Sequence, residues 1–278
     1  MKLGINTLLW TAVVSEADLP LFDRIKAWGF DGIEFPMYTA DCSPWAVIAA
    51  KLDDLGLGAT VCTMANDAAN PISDDPAIRQ AAVDHFKSCV DATLVLGADL
   101  MMGPMYSPVG ALVGRPPTRD EWQRGVEVLR AAGEHAQAAG VTFAIESLNR
   151  FETYFLNCMA DGSRFVDDIG LPNVGLTFDT FHANIEEKDP VAAVRATGHR
   201  ITHVHCSEND RSTPGQGHVP WKEVFAALKG IGYDRWLTVE AFGRALPEIA
   251  AATCIWRDMM ESDEQLATDA VKFIRENW

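Results

Sequence analysis

Eight times along this chain a short run of β-forming residues gives way to a longer helical pattern, with no linker and no low-complexity stretch between cycles. Lys2–Leu8 (KLGINTL) reads as a first strand, and the helix around Asp18–Trp28 stops at Gly29. Gly32–Phe35, Gly58–Met64, Leu100–Gly103 and Val141–Ser147 read as the next four strands. Val174–Phe178, Ile201–Cys206 and Trp236–Glu240 complete the set. Helices fall between them. Pro44–Leu55 is stopped by Gly56, and Ser73–Pro76 caps a helix that runs through Leu96. Thr118 followed by Glu121 is a capping-box pattern opening a helix to Ala139. These are ordinary start and stop signals. Further helices are expected around Ala160–Ile169, Pro190–Thr197, Trp221–Gly230 and Glu264–Asn277. The apolar segment Thr253–Met260 reads as one more helix packed on the outside, or as part of a subunit contact.

Repeated βα units imply a parallel sheet. Eight of them in 278 residues predict an α/β chain folded as a single (β/α)₈ TIM barrel, one domain over residues 1–278. The alternative is an open doubly wound sheet. Its nucleotide-binding form wants a glycine-rich loop after an early strand, but here the first strand runs into LLWTAVV, with neither GxGxxG nor GxxxxGK[ST].

The net charge of −16 and the absence of a Lys/Arg cluster exclude a phosphate backbone as partner. No stretch of about 18 apolar residues predicts a membrane span. The opening MKLGIN lacks the long apolar core of a signal peptide, so a cytoplasmic protein is expected. The six cysteines are scattered without CxxC pairs and read as reduced thiols. A soluble enzyme acting on a neutral small molecule suits this balance.

In a barrel of this kind, function gathers where the strands end. Glu146, Asp179, His205 and Glu240 stand at the ends of the fifth to eighth strands. Adjacent strand ends are about 5 Å apart, so these side chains can converge. Three carboxylates together repel one another unless a cation joins them. Three oxygen donors and one imidazole suit Mn²⁺, Co²⁺ or Mg²⁺ better than a thiolate-type zinc site. Any one of these residues alone could be a helix cap or a hydrogen-bonded core histidine; four in succession argue for a site. Glu34 reads more readily as a cap than as part of the site. His203, on the same face as His205, reads as a core or supporting residue and not a ligand. Glu208, Asp210 and Glu223 read as solvated.

Four segments carry a resemblance: IESLNRFETYFLN at 145–157, FDTFHANIEE at 178–187, HVHCSENDRSTPGQGHVPW at 203–221 and VEAF at 239–242. Together they resemble the ketose 3-epimerases, the D-tagatose and D-psicose (allulose) 3-epimerase group of the xylose-isomerase-like barrels. The resemblance implies Glu146, Asp179, His205 and Glu240 as ligands of one divalent ion, Mn²⁺ first. It implies Glu146 and Glu240 as the catalytic pair and Glu152, His182 and Arg211 as contacts to the hydroxyls of a ketose; the sequence shows no clear phosphate cradle, which favours an unphosphorylated one. It also implies a homodimer or homotetramer. Ala241 stands where the group commonly has proline, and the loops after the first and fourth strands (LLWTAVV, GPMYSPVG) match its best-known members poorly. Other chemistries open on such a site are an aldose–ketose isomerase, an inosose-type dehydratase, and a sugar-binding barrel without turnover.

Overall fold

The computed structural model describes all residues from Met1 to Trp278. Eight parallel strands close into a barrel in the order β1 to β8. They are β1 Lys2–Asn6, β2 Gly32–Pro36, β3 Gly58–Cys62, β4 Leu100–Gly103, β5 Thr142–Glu146, β6 Val174–Asp179, β7 Ile201–Cys206 and β8 Trp236–Val239. The intervening helices are α1 Leu19–Trp28, α2 Trp45–Leu55, α3 Pro76–Val95, α4 Arg119–Ala139, α5 Met159–Ile169, α6 Thr180–Glu186, α7 Pro190–Thr197 and α8 Trp221–Gly230. After β8 come α9 Pro247–Ala252 and α10 Asp263–Asn277. No helix is long and apolar enough to cross a membrane.

Strand alternation divides the side chains between two environments. In β5, Phe143 and Ile145 point outward into a cluster of 68 buried apolar residues between sheet and helices. Ala144 points inward, and joins Leu8, Cys62, Leu100, Met102 and Phe242 in a smaller apolar cluster. At the opposite end of the barrel the filling group is the Trp236 indole. It fits because Gly32 and Gly58 lack side chains: a Cβ at Gly58 would come within 2.9 Å of the ring, and one at Gly32 within 2.4 Å.

Three local readings of the sequence need correction. The first strand ends at Asn6, not Leu8, because the Asn6 side chain accepts the Leu8 N–H at 2.8 Å and turns the chain into a 3₁₀ turn. A short helix, α6, follows β6 directly, capped by Asp179. Thr253–Met260 is not a helix. The helix lies just upstream, opened by Pro247 at its first turn. It ends where the Thr253 N–H and hydroxyl both bond the Ile249 carbonyl and Cys254 takes a φ of 58°. Ile255 then folds back into the inner cluster.

Candidate metal centre and active site

Register decides which strand-end side chains meet. Glu146 is the last residue of β5 and pairs with Thr177. Between β6 and β7 the register shifts at Leu176/Thr177, which sets Asp179 opposite His205. Glu240 follows β8 directly, its N–H donating to the Cys206 carbonyl at 3.3 Å. All four side chains are buried, with His205 fully enclosed.

They converge on one atom. Nδ1 of His205 lies 3.6 Å from Glu146 Oε1, 3.5 Å from Asp179 Oδ2 and 3.4 Å from Glu240 Oε1. Both His205 Nδ1 and Glu146 Oε1 are buried without a hydrogen-bond partner. Donors ~2.1 Å from a common ion and near the tetrahedral angle stand about 3.4 Å from each other. Three oxygens and one nitrogen about this pole, two of them orphaned, fit a hard or borderline divalent cation.

The charges in this pole are strongly perturbed. Burial pushes the Glu146 carboxyl well above its ordinary range; Glu240 and Asp179 push the same way, outweighing His205. Asp179 is also buried, yet His182, Arg211 and His205 hold it below the usual carboxylate range. Its Oδ1 accepts the N–H groups of Phe181 and His182 at 2.6 and 3.1 Å, while Oδ2 faces His205 Nδ1 at 3.5 Å and also accepts from Arg211 at 3.3 Å. His205 is raised well above an ordinary imidazole: burial opposes this, but Glu240 and Glu34 prevail.

The other residues singled out from sequence lie beside this pole. Arg211 is buried and adopts a φ of 65°, a left-handed conformation unusual for a residue with a side chain. Its guanidinium is packed 3.8 Å from the Phe181 ring centroid and 5.0 Å from that of Phe242. It bonds Glu240, Asp179 (3.3 Å) and Ser207 (3.2 Å). Nδ1 of His182 accepts the Asn149 N–H at 3.0 Å, and burial pushes this imidazole down to about 4. His182 is therefore neutral at pH 7. Its Nε2 lies 3.0 Å from Arg211 Nη2, within hydrogen-bond reach. Glu152 is half-buried and accepts the Asn149 side-chain amide at 2.7 Å.

These groups line a cleft of about 710 Å³, counted out to its open mouth. Its floor is Glu146, Glu240, Arg211 and His182; its walls include Leu8, Tyr38, Met64, Val109 and Ile249. Sequence reading missed the aromatic clamp of Phe181 and Phe242 around Arg211, and it missed Tyr38. Two acidic residues need reassignment. Glu34 is no helix cap; it is fully buried and bonds His205. Its carboxyl lies well below the usual range: burial acts against this, and His205 and His203 outweigh it. Glu208 is not solvated but buried, accepting the N–H groups of Asn209, Gly215 and Val219 and the Trp221 indole. Glu223 is exposed as expected, and Asp210 is half-buried.

Comparison with known proteins settles the family. The xylose isomerase-like TIM barrel pattern matches residues 22–277. A probable ketose 3-epimerase of Synechocystis sp. is 31% identical, over 100% of this chain and 97% of its own length. An L-ribulose 3-epimerase of Mesorhizobium japonicum is 33% identical over 98% of this chain and 93% of its own. The chain belongs to the ketose 3-epimerase group of the xylose isomerase-like TIM barrels. The crystal structure of a group member, the D-allulose 3-epimerase of Methylomonas sp. in complex with D-allulose, superposes with a TM-score of 0.94. It is 27% identical, with 100% of this chain and 97% of that chain covered. Within this ketose 3-epimerase-type barrel, the loops after β1 and β4 supply Leu8 and Val109 to the cleft wall.

Proposed function

We propose that this protein is a metal-dependent ketose 3-epimerase. It inverts C3 of an unphosphorylated ketose of the D-tagatose, D-fructose/D-psicose or L-ribulose type. The observation that carries the reading is the convergence of Glu146 and Glu240 on the His205 pole at the floor of the cleft. The relatives named for ketose 3-epimerisation support it, as does the neighbour bound to D-allulose.

The C3 hydrogen of a 2-ketose is alpha to a carbonyl. Its removal leaves an electron pair that delocalises onto the C2 oxygen as an enediolate. Glu146, Asp179, His205 and Glu240 would hold one divalent ion, with Mn²⁺ favoured by three oxygen donors and one imidazole. Bound there, such an ion supplies Lewis-acid polarisation of the carbonyl and stabilises the developing negative charge. One of the two glutamates, Glu146 or Glu240, takes the C3 proton as general base. The other returns a proton to the opposite face, and the product is the C3 epimer.

Glu152, His182 and Arg211 would bind sugar hydroxyls. The reason is local: Glu152, His182 and Arg211 line the cleft together beside Glu146 and Glu240, with His182 Nε2 3.0 Å from Arg211 Nη2. A guanidinium donates and a carboxylate accepts, so the pair Arg211 and Glu152 can serve both the oxygen and the hydrogen of sugar hydroxyls. No lysine lines the cleft and its single arginine is engaged by carboxylates, which favours an unphosphorylated sugar. Assembly as a homodimer or homotetramer in the cytoplasm belongs to the same reading.

Glu146→Gln and Glu240→Gln should each abolish epimerisation in Mn²⁺ while sugar still binds. The assays are product analysis by NMR and exchange of the C3 hydrogen with D₂O. Turnover near the wild-type rate in either variant would sink the two-base scheme.

A further inference from the structure

Glu34 takes no part in the proposed proton transfers, yet it is among the most enclosed charged groups in the molecule. Its Oε1 accepts from Asn6 Nδ2 at 2.9 Å and faces His205 Nε2 at 2.7 Å. Its Oε2 accepts from Thr60 Oγ1 at 2.9 Å. His203 Nε2 lies 2.9 Å from the same oxygen, but without the alignment of a hydrogen bond. The Asn6 amide cannot turn freely, because its Oδ1 already accepts the Leu8 N–H at 2.8 Å. Nδ2 of Asn6 is therefore presented to Oε1 as a donor, and Oε1 meets His205 as an acceptor.

A neutral imidazole carries one N–H. If Nε2 donates to Glu34, Nδ1 is bare, and Nδ1 is the atom that faces Glu146, Asp179 and Glu240. In the other tautomer Nδ1 would point a hydrogen at the same place and could not ligate. We propose that Glu34 is a positioning residue: it holds His205 in the Nε2–H tautomer and so presents the Nδ1 lone pair to the cation. Asn6 extends this control to the start of the loop after β1, through the Leu8 N–H. The proposal rests on the metal-site reading above.

Glu34→Gln and Glu34→Ala separate the acceptor from the charge. In Glu34→Gln the Asn6 donor selects the orientation with the amide oxygen at the Oε1 position, so the acceptor for His205 survives. Glu34→Ala removes it. Mn²⁺ binding to metal-stripped protein, followed by the electron paramagnetic resonance of free Mn²⁺, should be close to wild type in Glu34→Gln. In Glu34→Ala it should be weaker by about 10–100-fold, the cost typical of losing a partner to a metal-bound histidine. Equal loss in both variants, or no loss in Glu34→Ala, would overturn the proposal. A second measurement does not depend on the variants folding. In wild-type protein loaded with Mg²⁺ and labelled with ¹⁵N-histidine, the His205 ring should carry its proton on Nε2, assigned by the loss of that signal in His205→Asn. A proton on Nδ1 would overturn the proposal. If wild-type protein bound no Mn²⁺ at all, the metal-site reading itself would fall, a different and distinguishable result.

Discussion

Glu208→Gln keeps the size of the side chain and replaces one acceptor oxygen by a donor. In the native loop the two carboxylate oxygens serve four N–H groups. Oε1 takes those of Asn209 and Val219, both at 3.1 Å, and Oε2 takes Gly215 N and Trp221 Nε1, both at 2.8 Å. Whichever way the new amide turns, its NH₂ confronts two of these donors, one in a buried bond (Val219 or Trp221) and one in a part-buried bond (Asn209 or Gly215), with Gly217 packed against the carboxylate. That glycine has no room for a side chain, since a Cβ would come within 2.6 Å of Glu208 Oε1. Leaving a buried donor unpaired costs about 1–3 kcal/mol, so one buried and one part-buried donor together cost about 3 kcal/mol. At an unfolding entropy of about 2.1 cal/mol/K per residue, each kcal/mol lowers Tm by about 1.7 °C in a chain this long, or about 5 °C in all. Differential scanning fluorimetry on the metal-loaded protein measures it, with the exposed Glu223→Gln as a control that should move by less than about 1 °C. Arg211 lies in the same loop, so KM for the ketose should also rise. A Tm loss below about 2 °C would refute the view of Glu208 as the hub of this loop.

Other outcomes follow from the same structure. Glu121 is held down to about 2 by Arg115, with Thr118 and Tyr154 also bonded to it, against an ordinary value of 4.5. A folded value below the unfolded one gives stability that is present above pH ~4.5 and lost as pH falls toward 2. Arg115 is half-exposed, so Glu121→Gln should cost about 1–2 kcal/mol at pH 7 and nothing near pH 2; urea midpoints at the two pH values decide. Gly58→Ala should destabilise by about 1–3 kcal/mol through its clash with Trp236, and Trp236→Phe should recover part of the loss in the double variant. Stripping the metal with EDTA should lower Tm, and Mn²⁺ at 100 times its Kd should restore about 2.7 kcal/mol, near 5 °C. No response to Mn²⁺ would count against the cation site.

The barrel was legible because each cycle carries its own punctuation. Gly29, Gly56, Gly140 and Gly170 follow the last turns of α1, α2, α4 and α5 and take the left-handed conformation that ends a helix. Thr118 and Glu121 form the expected capping box. Where punctuation is equivocal, the reading slipped. Thr253–Met260 is apolar enough for a helix, but its hydrophobicity serves to turn Ile255 inward toward the barrel mouth. The register shift at Leu176/Thr177 leaves no mark in the sequence, because it arises from how two strands meet and not from either alone.

The site divides along the same line. Glu146, Asp179, His205 and Glu240 could be found one at a time, since strand ends are local features and the barrel brings them together. Glu34 could not be interpreted that way. Its meaning depends on His205, 171 residues later and across the barrel interior. Strand alternation does place Glu34 on the inner face with Gly32, and a charged side chain there needs partners. Glu208 is harder still, because its partners exist only once residues 209–221 have folded back over it. A carboxylate in a polar, glycine-containing loop looks solvated from sequence because loop composition reports the surface, whereas this loop wraps around its own acid. Misreading both acids had one physical cause. Carboxylates were weighed by their neighbours in sequence, while a buried carboxylate is decided by the donors that converge on it in space.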